Sequence, residues 1–379
     1  MENELNGKVA IVTGAGRLRG IGRATAVALG SLGANVVVTG TGRDPETYPE
    51  DEKAVEWKDI ESTAEQIRQK GSKAKALVMD ISKEDDVDNM VKQTLDEFGR
   101  IDILVNNAAP PYGEDRVPVV EVDNEVFKKV FMVKIYGSYL CSKAVAKVMI
   151  AQGDGGRIIN LSSSAGKEGN ARMAAYNAAN FGLEGFSQSL AKELAEEQIT
   201  VNCVCPGQTE TARLDPLGRG AIWKSKIESI PMGRVGTDEE VADLIAFLAS
   251  DKARFITGQA ININNGTVWI NDSGEAMFKI GTGGKTMSAR FSESDGKPKP
   301  FDIPHPSKGE GWRLRYACIE GAEVGVYHRG RLRRGKEIFL PKYWKDLVHI
   351  NSITVQLQPK GEHQDIIINR WDEEKSKLQ

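Results

Sequence analysis

Seven short β-branched runs, evenly parted by amphipathic stretches, constrain this chain more than any other feature. The runs are VAIVT (9–13), NVVVT (35–39), KALVMD (75–80), IDILVN (101–106), RIINL (157–161), ITVNCVC (199–205) and QAINI (259–263). Helical periodicity fills the gaps at 21–32, 59–70, 84–98, 124–150, 175–197 and 238–250. Such alternation predicts an α/β fold, and runs without strict alternation suit parallel strands buried on both faces. The expected architecture is a Rossmann-type, doubly wound parallel sheet over residues 1–272.

Beyond that point the character changes. Residues 273–300 include the Gly-, Ser-, Lys- and Pro-rich stretch GTGGKTMSARFSESDGKPKP and read as a linker. Residues 301–379 read as a second, small β-rich module of short strands parted by Gly, Pro and Lys turns. A length of 379 residues agrees with two domains.

Composition excludes several functions. Fifty basic residues against 53 acidic ones imply no broad field for nucleic acid or membrane. No apolar run approaches the ~20 residues of a membrane span, and MENELNGKVA lacks the features of a secretory signal. Four scattered cysteines suit a reducing, cytoplasmic setting, and Cys203 and Cys205 alternate along a strand as packing residues. All four histidines lie beyond residue 300, so chemistry in the first 270 residues runs without imidazole, a Ser-His-Asp triad or a His-ligated metal.

The segment VAIVTGAGRLRGIGRATAVALG (9–30) is strand, glycine turn and helix. Glycines there let backbone approach a pyrophosphate, and the helix N-terminus offers N–H groups and a positive dipole end. An NAD site usually ends its second strand on an acidic residue, yet here the sequence runs Val38-Thr39-Gly40-Thr41-Gly42-Arg43 before reaching Asp44. Arg19 and Arg43 suit a 2′-phosphate, so NADPH is the expected cofactor.

Seven ordered motifs then carry a resemblance. They are TG…GIG (13–22), Asp80 in MDIS, NNAA (106–109), IINLSSSAG (158–166), Tyr176, VNCVCPG (201–207) and PMGRVGTDEEVADLIAFLASDKARFITGQ (231–259). Over its first 270 residues the chain resembles the short-chain dehydrogenase/reductase family, in its 3-oxoacyl-carrier-protein-reductase-like branch. The resemblance implies that Gly14, Gly20 and Gly22 line the pyrophosphate, Asp80 meets the adenine and Asn106 sits beside the adenosine ribose. It implies that Pro206, Gly207, Thr209 and Thr211 border the nicotinamide, and that Ser163, 13 residues before Tyr176, bonds the substrate carbonyl. Family members are homo-oligomers, so a dimer or tetramer is expected, acting on a small-molecule carbonyl or alcohol.

Three departures stand out. Five residues separate Gly14 from Gly20 where the family has three, and NNAA ends in alanine where glycine is usual. The third touches the chemistry: the family's Asn-Ser-Tyr-Lys tetrad reads here Lys134, Ser163, Tyr176 and Asn180. A free tyrosine has a pKa of about 10 and is a sluggish acid near neutrality. A cation about 4 Å away, at an effective dielectric of about 20, is worth about 4 kcal/mol, or about three pKa units. Lysine and asparagine have thus exchanged positions. Two readings follow: a rearranged, active carbonyl reductase, or a phage-associated structural or binding protein retaining the nucleotide fold with little catalysis. The second draws on residues 301–379, whose words IEG and YWKDL resemble a bacteriophage tail-fibre-like C-terminal domain, which would allow virion association.

Overall fold

The computed structural model describes residues 4–267, and beyond them only short strands. Nine strands and nine α-helices lie within 4–267. The strands are β1 (Val9–Val12), β2 (Asn35–Gly40), β3 (Ala74–Val78), β4 (Ile103–Asn106), β5 (Gly156–Leu161), β6 (Ile199–Pro206), β7 (Thr209–Glu210), β8 (Gly236–Thr237) and β9 (Ala260–Ile263). The helices are α1 (Ile21–Ser31), α2 (Glu50–Ala54), α3 (Asp59–Gln69), α4 (Glu84–Phe98), α5 (Asn124–Phe131), α6 (Ser138–Gln152), α7 (Ala174–Leu194), α8 (Ala221–Glu228) and α9 (Asp238–Ala249).

Seven strands form one sheet in the order β3-β2-β1-β4-β5-β6-β9, with every neighbouring pair parallel. This is the doubly wound Rossmann-like arrangement expected from the alternation of runs. Both faces are buried, which explains why these strands read as unbroken apolar runs. One face packs Val12, Val36, Val105 and Val204 against Leu29, Ile67 and Ile245 from α1, α3 and α9. The other packs Ile11, Val37, Leu104 and Ile158 against Met90, Val145 and Leu194 from α4, α6 and α7. Cys203 and Cys205 are free thiols buried in β6.

The long helix expected over 124–150 is helical throughout, but not α-helical throughout. A π-helical turn, Met132–Gly137, joins α5 to α6 and carries Lys134. Such turns recur at functional sites because the extra residue shifts which side chains face inward. The short helix α2 was not foreseen; it lies in the polar stretch after β2 where no apolar period signals it.

In a parallel sheet the switch from β1 to β4 opens a crevice at the strands' C-terminal ends. Gly14, Asp80, Asn106, Ser163 and Pro206 lie at those ends, at or just past β1, β3, β4, β5 and β6. Asn107 fastens the first of them: its Nδ2 donates to the carbonyls of Thr13 and Gly14, each at 2.9 Å. Asn106 instead turns inward. Its Nδ2 donates to Asn160 Oδ1 at 2.8 Å and Ser142 Oγ at 3.0 Å, and its side chain is buried. The amide thus ties β4 to β5 and α6.

The chain divides into two units, Met1–Asn271 with Ala276–Ala289, and Asp272–Glu275 with Arg290–Gln379. Part of the span expected as a linker is strand, at Ala276–Thr282 and Lys285–Arg290. In the module expected at 301–379, Phe301–Pro304 pairs antiparallel with Arg313–Tyr316. The remaining expectations for that module lie outside the described residues.

Candidate active site

The glycine turn requires its glycines. Gly14 sits at φ +69°, and a Cβ there would lie 2.7 Å from the Ala108 backbone. A Cβ on Gly22 would lie 2.5 Å from Asn107 Nδ2 and 2.6 Å from the Gly14 carbonyl. Gly20 caps α1, and its N–H donates to Asp238 Oδ2 at 2.9 Å. A backbone this closely held leaves a smooth cradle at a helix N-terminus, which fits a dinucleotide pyrophosphate.

The two arginines expected at a 2′-phosphate are both engaged. Arg19 binds Asp51 through Nε at 2.5 Å and Asp215 through Nη2 at 2.6 Å. Arg43 binds Glu52 at 2.8 Å and Asp59 at 3.0 Å, and donates to the Gly16 carbonyl at 2.8 Å. The carboxylates that hold Arg43 come from α2 and α3. Arg17 is the guanidinium of this turn with no hydrogen bond or ion pair among the described residues. Burial, followed by repulsion from Arg43, lowers its pKa. Sequence reasoning passed over Arg17 because it sits between two glycines with nothing to mark it from Arg19.

Just past β3, Asp80 Oδ1 accepts from the Ser82 N–H at 2.9 Å and the Ser82 hydroxyl at 2.7 Å. Beyond β6, a Cβ on Gly207 would lie 2.8 Å from the Asn264 backbone, so Pro206–Gly207 passes close beneath β9's end. Thr209 and Thr211 are buried, and Thr209 Oγ1 donates to the Gly207 carbonyl at 3.3 Å. The Ala212 N–H donates to the Arg19 carbonyl at 3.0 Å, which ties this loop to the glycine turn.

Ser163 and Tyr176 come together at the crevice's other end. Ser163 leads the turn Ser164–Gly166, and its Oγ accepts from the Ala165 N–H at 3.2 Å. Tyr176 lies in the first turn of α7 and is 9% exposed. Burial by itself would raise its pKa. Arg213 most strongly, then Lys134, a hydrogen bond with Ser163, and Arg116 overcome that and bring it down to about 8. The groups that lower it include two arginines besides the lysine that the sequence suggested.

Lys134 is 2% exposed and donates to the Leu161 carbonyl at the end of β5. Burial lowers its pKa, while Tyr176 opposes that and Arg213 adds to it. Asn180 does not reach outward as an amide stand-in for lysine. Its Nδ2 donates to the Tyr176 carbonyl one turn back at 2.8 Å, and its buried Oδ1 has no hydrogen-bond partner. That oxygen is an unused acceptor beside the tyrosine, suited to an ammonium or a ribose hydroxyl.

Arg116 and Arg213 were not foreseen. The Arg213 Nη1 lies 3.5 Å from the Tyr176 hydroxyl, and its Nε and Nη2 each donate to the Pro110 carbonyl at 3.3 Å. Both guanidiniums lie against the Tyr176 ring, Arg116 at 4.1 Å and Arg213 at 5.0 Å from its centroid. Arg116 comes from a loop and Arg213 from the short 3-10 turn Ala212–Leu217, and no periodicity announces which of their side chains turn inward.

Fold and site together define an oxidoreductase of the nicotinamide-dinucleotide type. The family described as enoyl-(acyl carrier protein) reductase matches residues 14–268. A 3-oxoacyl-[acyl-carrier-protein] reductase from Synechocystis sp. is 40% identical over 265 residues, covering 70% of this chain and 98% of that one. A like-named reductase from Aquifex aeolicus is 39% identical, over 70% of this chain and 99% of its own. Among solved structures, a short-chain type dehydrogenase/reductase from Mycobacterium marinum has a TM-score of 0.60 at 31% identity, covering 69% and 96% of the two chains. A structure with bound NADP from Agrobacterium tumefaciens, assigned as a 2-deoxy-D-gluconate 3-dehydrogenase, scores 0.59 at 32% identity over 69% and 96%. The chain belongs to the short-chain dehydrogenase/reductase family. The family match ends at residue 268, so nothing in it bears on the tail-fibre-like resemblance of residues 301–379.

The ionisation of Tyr176 sets a pH dependence. Proton donation needs the phenol, which is lost as pH rises through about 8. The kcat/KM for carbonyl reduction is expected to be flat below that value and to fall about tenfold per pH unit above it. The reverse oxidation should rise through the same range. Steady-state rates against pH check this, and a reduction profile still flat at pH 10 would contradict it.

Proposed function

We propose that the chain is an NADPH-dependent carbonyl reductase, reversible as a secondary-alcohol dehydrogenase, with Lys134, Ser163, Tyr176 and Asn180 as its rearranged catalytic group. The observation that carries this reading is the buried Tyr176 side chain with two guanidiniums against its ring and Arg213 Nη1 at 3.5 Å from its hydroxyl. A protein that had only kept the fold would have no reason to retain a buried ammonium there, since burying a charge costs several kcal/mol (on the order of) unless it is used or well paired.

When bound, the dinucleotide supplies or accepts the hydride at the carbonyl carbon. The Ser163 hydroxyl donates a hydrogen bond to the carbonyl oxygen and fixes its direction. Tyr176 delivers its proton to that oxygen as negative charge develops on it. Arg213 and Lys134 then hold the phenolate's charge, the task of the family's lysine. Asn180 steadies the first turn of α7 through its bond to the Tyr176 carbonyl, and its buried Oδ1 stands open as an acceptor. The preference for the phosphorylated dinucleotide rests on Arg17, the unpaired guanidinium of the glycine turn, with Arg19 and Arg43 as its ion-paired surround. The Arg17→Ala variant should weaken NADPH binding about tenfold or more while leaving NADH binding nearly unchanged, as fluorescence titration would read. Equal losses for both would contradict the assignment.

Turnover tests the exchange of Lys134 and Asn180. Lys134→Ala should reduce turnover of a neutral diketone by about 10²-fold or more, the scale of a lost general-acid effect. Asn180→Lys should also be harmful, because two ammonium groups would then crowd Tyr176. The double variant Lys134→Asn/Asn180→Lys should recover most of the activity, the non-additivity expected of directly coupled residues. A rise in turnover from Asn180→Lys alone would show instead an attenuated enzyme.

A further inference from the structure

The cations around Tyr176 exceed what a proton donor needs. Arg116 has a side chain only 10% exposed, and its Nε and Nη1 have no hydrogen-bond partner. Its neighbouring carboxylate, Asp115, stands 3.4 Å from Nε and has its own Oδ2 unpaired. Burial first, and then Arg213, lower the Arg116 pKa against the opposing pull of Asp115 and Tyr176. Arg213 makes no ion pair among the described residues, only contacts of 3.3–3.5 Å to a carbonyl and a phenol. The buried Arg116 donors left unmatched cost about 1–3 kcal/mol each, so that guanidinium calls for an acceptor that arrives later.

Resting on the carbonyl-reductase reading above, we propose that Arg116 and Arg213 form the anion-binding half of the substrate site, which takes a short 2- or 3-oxo acid. The geometry limits the substrate. Arg213 Nη1 stands 3.5 Å from the hydroxyl that would bond the reacting carbonyl. An anion reaching that guanidinium must lie one or two carbons from the carbonyl. A carboxylate offers two coplanar oxygens that match the planar guanidinium fork. The cofactor's phosphates do not explain Arg116. Its neighbours are Asp115, Tyr112, Tyr176 and Arg213, none of them from the glycine turn. The cation left for those phosphates is Arg17.

In the reaction, hydride from the reduced dinucleotide forms a new C–H bond at the oxo carbon. The C=O π bond breaks towards oxygen, and that oxygen takes the Tyr176 proton. The dinucleotide is oxidised, the oxo acid becomes a hydroxy acid, and the carboxylate is unchanged on the two guanidiniums. This departs from the substrate in the relatives' names, whose 3-oxoacyl thioester has a neutral carbonyl where the proposal needs a carboxylate.

The test separates binding from turnover. Calorimetry on the full chain saturated with NADP would compare 2-oxobutanoate and 3-oxobutanoate with their methyl esters. At least one acid should bind about tenfold or more tightly than its ester. Arg116→Gln and Arg213→Gln should each erase that preference, and Arg116→Lys should restore part of it. Retained NADP affinity in the variants shows that they are folded. Esters that bind as well as both acids, or a preference that survives both Gln substitutions, would overturn the proposal. NADPH oxidation with a neutral diketone is read separately. Its failure would sink the reductase reading while the acid-over-ester difference still supported the anion site.

Discussion

The Lys134 ammonium, buried at the end of β5 and bonded to the Leu161 carbonyl, is the interaction on which the site depends. A backbone carbonyl alone compensates a buried charge poorly. The strongest favourable partner is the ionised form of Tyr176, which pulls the lysine's pKa up as the lysine pulls the tyrosine's down. Lysine and tyrosine therefore stabilise one another once the tyrosine has given up its proton. The π-helical turn that holds Lys134 is the local distortion that aims it inward from the helix facing α7.

The glycine turn shows a second dependence. It is longer than its family's usual form, and the segment after β2 secures it. Trp57 Nε1 donates to the Gly16 carbonyl at 2.6 Å, and the Leu18 N–H donates to Glu52 Oε1 at 3.0 Å. Glu52 and Asp59 then bind Arg43. The extra loop length is thus matched by an ion-paired brace, which consumes the arginine that would otherwise face the cofactor.

Much of the fold was legible in the sequence because burial on both faces forces β-branched runs, and those runs matched β1 to β6 and β9 closely. The helices showed as 3.6-residue periods, except where Met132–Gly137 winds more loosely inside a stretch whose apolar pattern continues unbroken. Ser163, Tyr176 and Lys134 could be found from motif spacing. Arg116 and Arg213 could not, since one sits in a loop and the other in a single 3-10 turn, where the only signal is composition. The pairing of Arg19 and Arg43 was hidden for another reason: Asp51 and Asp215 are 32 and 196 residues from Arg19.

The central claim is that displaced cations, not a lysine one turn away, set the acidity of Tyr176. The direct measurement is an NMR titration of the tyrosine ring Cζ carbons in the full chain, with Tyr176→Phe to assign the signal. One tyrosine should titrate near 8, vanish in Tyr176→Phe and move towards 10 or above in Arg213→Gln and Lys134→Met. A Tyr176 signal that titrates at 10 or above in the unaltered protein would contradict the account.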